Sequence, residues 1–273
     1  MKTDLTGRHI SFFTAASFVI ASMIGTGVFT SMGYQLLDIQ SIFPLMMLWI
    51  IGGIIALSGV LSYSELSTAL PRSGGEYHFL SYILHPSIGF AAGIVSATVG
   101  FTAPAVLAAI ALGEYLSSIF PFLDRIVIAS VVLGGLHLIH MTNLRFGIIF
   151  QDSFTGIKIG IILVFICFGF FIDKPQSISL LPLDGDFKII LSSSFAVNLV
   201  WVSYAYTGWN SVIYISGEIK NPKLNISKAM FLSTCFVMFL YILLNYIFLY
   251  TTPINSMIGK VDIGYIVGTK FLV

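Results

Sequence analysis

Ile10 to Leu37, a run without one charged residue, is the feature that most constrains this chain. About 20 apolar residues cross the hydrocarbon of a bilayer. Similar charge-free runs recur at Ile42–Ser64, Pro86–Gly113, Ile126–Leu144, Ile189–Gly217 and Ala229–Tyr250. A further run, Phe146–Ile172, holds only Asp152 and Lys158. Charged residues make up 9% of the 273, against about 25% in soluble domains. So few charges cannot clothe this much apolar surface in water, and mean hydropathy is +0.96. The chain reads as an all-α polytopic membrane protein of seven spans. Its last residues, Ile266–Gly268 and Phe271–Val273, look like the opening of an eighth. The first run is too long for a signal-peptide core, so residues 1–9 are read as a cytoplasmic N-terminus.

Lysine and arginine orient the spans. With the N-terminus in the cytoplasm, the inner segments carry Lys2, Arg8, Arg72, Arg145, Lys220, Lys223 and Lys228. The outer ones carry Arg125, Lys174, Lys188 and Lys260, mostly beside acids. The expected location is therefore the cell membrane, multi-pass, with the N-terminus inside. A net charge of +1 leaves no basic field for nucleic acid. Cys167 and Cys235 sit far apart in apolar runs and read as packing residues. His137 and His140 are one helical turn apart but have no third ligand at a suitable spacing, so no metal site is expected.

Two spans break the pattern of a quiet membrane helix. Span one contains Ile24-Gly25-Thr26-Gly27, and span six contains Tyr204-Ala205-Tyr206-Thr207-Gly208-Trp209-Asn210. Glycine lets the backbone leave helical geometry. The polar groups so freed survive at membrane depth only against protein or a wet cavity. Interrupted helices in corresponding places of two halves point to a transporter binding site, and positions one and six suggest a five-plus-five repeat. Half-helix N-terminal N–H groups attract a carboxylate, and C-terminal carbonyls attract an ammonium. Glycine also serves close helix packing. The pairs Gly89/Gly93 and Gly156/Gly160 are read that way.

Several segments resemble one family in order. Ile24–Phe29 resembles the first-span signature of the amino acid–polyamine–organocation superfamily, and Pro71–Tyr77 its loop after span two. Asn143–Gly147 with Gln151, Thr155 and Lys158 is similar to its span-four to span-five segment. Tyr204–Asn210 followed by Gly217–Pro222 resembles its sixth span and following loop. The Gly208-Trp209-Asn210 ending leans toward the L-type neutral amino-acid exchangers, the light subunits of heteromeric transporters, and their bacterial relatives.

The resemblance implies two inverted five-helix repeats with broken helices one and six. Residues 10–172 would form the first repeat, 173–188 an extracytoplasmic loop, and 189–273 an incomplete second repeat. It also implies roles. The N–H groups of Gly25, Thr26 and Gly27 would hold the substrate carboxylate, and the carbonyls of Met23, Tyr204 and Thr207 its ammonium. Ala205 would border the side-chain pocket, Asn210 would line it, and Tyr204 would gate it. Tyr241 would contact the broken first helix, although an aromatic in an aromatic-rich span also serves as ordinary core. The same alternatives hold for Trp209. The family has more helices than this chain supplies, and the expectation is that the parent chain supplies the missing C-terminal ones.

Lys158 stands out singly. A mid-span charge costs at least about 2.5 kcal/mol and usually marks a functional path. By resemblance it replaces a bound sodium ion, either carrying a coupling proton or bonding the unwound carbonyls of span one. The expected function is secondary transport of neutral L-amino acids, as exchanger or proton symporter, without a further cofactor. A non-transporting fragment or partner subunit is the alternative. No Gly-x-Ser-x-Gly, His-Glu-x-x-His or paired Asp within spans supports an enzyme, and no catalytic residue is assigned.

Overall fold

The computed structural model describes residues 9–271, apart from 121 and 143, and leaves aside the side chains of 111, 114, 115, 118, 119, 140, 142 and 144–146. The expected features at Lys2, Arg8, Asn143, Arg145 and the side chain of His140 lie outside the described residues.

Helices α1 (Phe12–Met23) and α2 (Gly27–Asp38) form the first span, interrupted at Ile24–Thr26. The Ser11 hydroxyl starts α1 by accepting the Thr14 N–H at 3.3 Å. Helix α3 (Ile42–Ala69) is unbroken and ends before Pro71. A short helix, α4 (Gly75–Ile83), follows the loop. The third span runs through α5 (Pro86–Val95), a π-helical segment (Ser96–Thr102) and α6 (Ala103–Ile119). Then come α7 (Arg125–Thr142) and α8 (Leu144–Phe170). A short α9 (Asp186–Ile190) precedes α10 (Ser193–Ala205), which gives way to a 3₁₀ segment (Ser211–Glu218). Helix α11 (Pro222–Thr251) and the short α12 (Ile263–Gly268) complete the order.

Among the described residues, five helical stretches are long and apolar enough to cross a membrane: Phe12–Asp38, Ile42–Ala69, Pro86–Ile110, Gly147–Phe170 and Pro222–Thr251. The fourth and sixth expected spans are shorter as helices, at Arg125–Thr142 and Ser193–Ala205. The structure moves two other boundaries. The expected loop 173–188 ends inside α9, where the Asp186 carboxylate accepts the Leu183 N–H at 2.7 Å. Span seven begins at Pro222 rather than Ala229, because Asn221 turns the chain in the left-handed region (φ 48°) and Pro222 suits the first helical position. In span three a π-helical segment precedes Pro104. Proline lacks an N–H and its ring strikes the carbonyl four residues back. The wider register just upstream avoids both, with Ala103 N–H donating to the Thr98 carbonyl.

Helix α11 is the buried centre, packed on α3, α1 and α8. Trp49, Tyr206 and Tyr241 meet there with ring centroids 5.2–6.0 Å apart. The Tyr206 hydroxyl donates to the Trp49 carbonyl at 3.0 Å. Outward faces of α5 to α8 show Phe90, Val95, Val131, Phe154 and Val164, as a lipid-facing surface should. Gly89 and Gly93 pack against Ser81 and Tyr77 as read from sequence. Gly156 and Gly160 meet no neighbour, so the packing expected of that pair does not occur within this chain's described residues. Near the chain's start, the N–H groups of His9 and Ile10 both donate to the Glu218 carbonyl at 3.0 Å, and Lys220 N–H donates to the Ile10 carbonyl.

Candidate functional site

An α-helix that stops inside a membrane leaves four carbonyls at one end and four N–H groups at the other without helical partners. Helix α1 stops at Met23, with Ile24 N–H closing the last turn on the Ile20 carbonyl. The carbonyls of Ala21, Ser22, Met23 and Ile24 then need other donors. Lys158, from the middle of α8, supplies two: its Nζ donates to Ile24 at 2.9 Å and to Ala21 at 3.3 Å. The hydroxyl of fully buried Tyr241 donates to the Met23 carbonyl at 2.7 Å. A cation at a helix C-terminus also meets the negative end of the helix dipole. The two groups that sequence singled out in spans five and seven therefore close the same half-helix.

Beyond the gap, α2 begins at Gly27 with no side chain capping it. Gly25 and Thr26 are exposed and Gly27 is buried. A cavity of about 300 Å³ opens here, lined by Ile24, Gly25, Thr26, Phe29, Ala108, Lys158 and Ile161. A methyl group on Gly25 would meet nothing within 4 Å, so this glycine faces open space rather than a packed neighbour.

The second break lies against the first. Helix α10 ends at Ala205, and Gly208 turns the chain at φ +102°. A methyl on Gly208 would stand 2.6 Å from the Ser22 carbonyl carbon and 3.0 Å from the Met23 nitrogen. A methyl on Gly27 would stand 3.1 Å from the Ala205 Cα. The two glycines thus let the broken backbones cross at contact distance.

The structure brings Met23, Gly25, Thr26, Gly27, Lys158, Ala205, Thr207 and Tyr241 to one level of the fold. It engages some of their polar groups internally. The Tyr204 carbonyl accepts both the N–H (3.1 Å) and the hydroxyl (2.7 Å) of Thr207, and the Met23 carbonyl accepts Tyr241. The Tyr204 side chain is exposed. Trp209 packs on Tyr63 with centroids 5.0 Å apart and on Gly59, as a core residue does. The Asn210 Nδ2 donates to the Glu76 carboxylate at 2.5 Å. The sequence pattern named Glu76 only as a letter of the loop motif. Among the described residues no group of three side chains could hold a metal ion.

Tyr241→Phe removes the donor to Met23 and leaves a buried carbonyl unpaired. A loss of about 1–3 kcal/mol is expected, read as a lower thermal unfolding midpoint in detergent. An unchanged midpoint would mean that this bond does not hold the half-helix.

The amino acid permease family model matches residues 10–272. The chain is 25% identical over 253 residues to the b(0,+)-type amino acid transporter 1 of Mus musculus, covering 90% of this chain and 52% of that protein. It is 26% identical over 274 residues to the large neutral amino acids transporter small subunit 2 of Mus musculus, covering 97% and 52%. With the b(0,+)-type amino acid transporter 1 of Homo sapiens it shares 25% over 252 residues, covering 89% and 51%. The chain spans about half the length of the curated relatives it matches. A match over nearly its whole length, on a fold with two broken helices in contact, makes this chain a member of the amino acid permease family.

Proposed function

We propose that this chain moves neutral L-amino acids across the cell membrane by alternating access, as an exchanger or proton symporter. The observation that carries the reading is the paired break: α1 ends on Lys158 and Tyr241, α2 opens uncapped, and a cavity of about 300 Å³ lies between them. A zwitterionic ligand fits such an opening, with its carboxylate on the first N–H groups of α2 at Thr26 and Gly27. Its ammonium would lie toward the carbonyl end of α1, where Met23 keeps a lone pair beyond its bond from Tyr241. Ala205 and Thr207 leave room for a medium or large apolar side chain. Lys158 keeps one N–H beyond its two bonds, enough to sense an occupant or pass a proton. The excess of basic residues at one face supports an N-terminus in the cytoplasm.

The test is uptake of labelled neutral amino acid by proteoliposomes holding this chain, with and without unlabelled amino acid inside. Uptake stimulated from within is expected. Folded protein that takes up nothing, while a longer chain restores activity, would establish the second reading: a part or partner subunit of such a transporter. That reading draws support from the half-length coverage of the relatives.

A further inference from the structure

We propose that Glu76 is a positioning residue that latches the segment after the helix-six break to the loop helix α4, and that this latch must release for the site to open toward the face bearing His9 and Glu218. The proposal deepens the transport reading and rests on it for its purpose, though not for its geometry.

Glu76 lies in the first turn of α4, where an acidic residue has an ordinary use beside the helix dipole. Its oxygens go elsewhere. One accepts the Asn210 amide at 2.5 Å. The other accepts the Tyr214 hydroxyl, and the Tyr63 hydroxyl approaches the same carboxylate from α3. Asn210 and Tyr214 are 134 and 138 residues away in sequence, so these bonds do nothing for α4 itself. Asn210 and Tyr214 are both neutral donors. A carboxylate is an acceptor-only group and can gather several donors from separate elements at once.

The surrounding backbone is shaped to the same contact. Gly74 (φ +122°) and Gly75 (φ +55°) turn the loop into α4. A methyl on Gly75 would stand 2.7 Å from the Tyr214 ring, so the turn lies flat on that tyrosine. The Gly217 N–H donates to Ser73 Oγ at 2.8 Å. From the third span, Ser96 Oγ lies 3.2 Å from the Tyr214 oxygen, and Phe101 meets its ring edge-on at 4.9 Å. Ser96 and Phe101 both belong to the π-helical segment, a feature that recurs at functional positions. The loop at Ser73, helix α4 and the π-helical segment therefore converge on the segment Asn210–Gly217, which connects directly to the second break. That segment cannot swing without first surrendering the Glu76 bonds.

The experiment reads accessibility and needs no transport. Ser211 is buried immediately beyond the break, and its hydroxyl has no partner. A Ser211→Cys change, made with Cys167→Ala and Cys235→Ala, reports opening by its rate of alkylation with N-ethylmaleimide. Glu76→Met keeps the side-chain length but removes the acceptor, and is expected to raise that rate about tenfold. Glu76→Gln retains one acceptor oxygen and should restore most of the protection. In a double-mutant cycle, Asn210→Leu added to Glu76→Met should cost little more than Glu76→Met alone, as coupled partners do. Equal rates in all variants would overturn the latch. So would equal acceleration by Met and Gln, since filling rather than bonding would then be what matters. Thermal unfolding of each variant separates opening from loss of fold. A latch that responds as expected in a chain that transports nothing would refute the transport reading and leave the latch standing. Active uptake with unresponsive labelling would do the reverse.

Discussion

Replacing Lys158 with methionine is expected to lower amino-acid exchange by at least tenfold while costing less stability than its two lost bonds alone would. Two terms oppose each other in the fold. The variant loses hydrogen bonds from a charged donor to the Ile24 and Ala21 carbonyls, worth roughly 1.5–3 kcal/mol each. It also removes a mid-span charge that costs about 2.5–3.5 kcal/mol to insert. The balance lies within a few kcal/mol of zero. Function has no such compensation. The cavity beside Gly25 and Thr26 loses its cation, and the end of α1 loses the group that fixes its carbonyls. Uptake in proteoliposomes and thermal unfolding of the same preparation check the two halves separately. Exchange at the native rate would remove Lys158 from the mechanism. A Lys158→Ala variant that still transports, with the full pH dependence of uptake, would remove the proton-carrying role alone.

The two glycines at the breaks should respond oppositely to the same added methyl group. Gly208→Ala forces a side chain into φ +102° and against the Ser22–Met23 backbone. Backbone strain of about 1–3 kcal/mol adds to overpacking of about 1–3 kcal/mol. Marginal folding or a large fall in unfolding midpoint is expected. Gly25→Ala has open space around the new Cβ, so stability should stay within about 0.5 kcal/mol. The methyl then stands beside the cavity where α2 opens, and exchange should fall although the protein folds. If Gly208→Ala unfolds at the native temperature, the two breaks do not cross as tightly as described. If Gly25→Ala exchanges normally, its position beside the cavity carries no substrate contact.

These contrasts mark what was legible in the residues alone. Charge-free runs fixed the membrane class, because hydropathy is a local sum over about one span's length. Glycine clusters in spans one and six marked the breaks, since a Cβ-free residue in a helix interior is a local liability that needs a reason. Lys158 was legible for a similar cause, as a charge stranded in an apolar run must find partners. Its reading as a donor to unwound span-one carbonyls matches the bonds to Ala21 and Ile24.

What tertiary structure alone decided are the pairings between distant elements. Asn210 sits in a motif that suggested a pocket-lining role, and its amide is held by Glu76, 134 residues earlier. No spacing within either segment contains that bond. Gly156 and Gly160 have the same pattern as Gly89 and Gly93, but only the latter pair has a neighbour to approach. Which glycine in a break packs and which faces open space also depends on the partner: Gly208 lies on the Ser22–Met23 backbone, and Gly25 looks into the cavity. Sequence set where the backbone leaves its helices, because that cost is local. Only the packed chain decided which groups answer the polar atoms so exposed, because their donors come from helices far away along it.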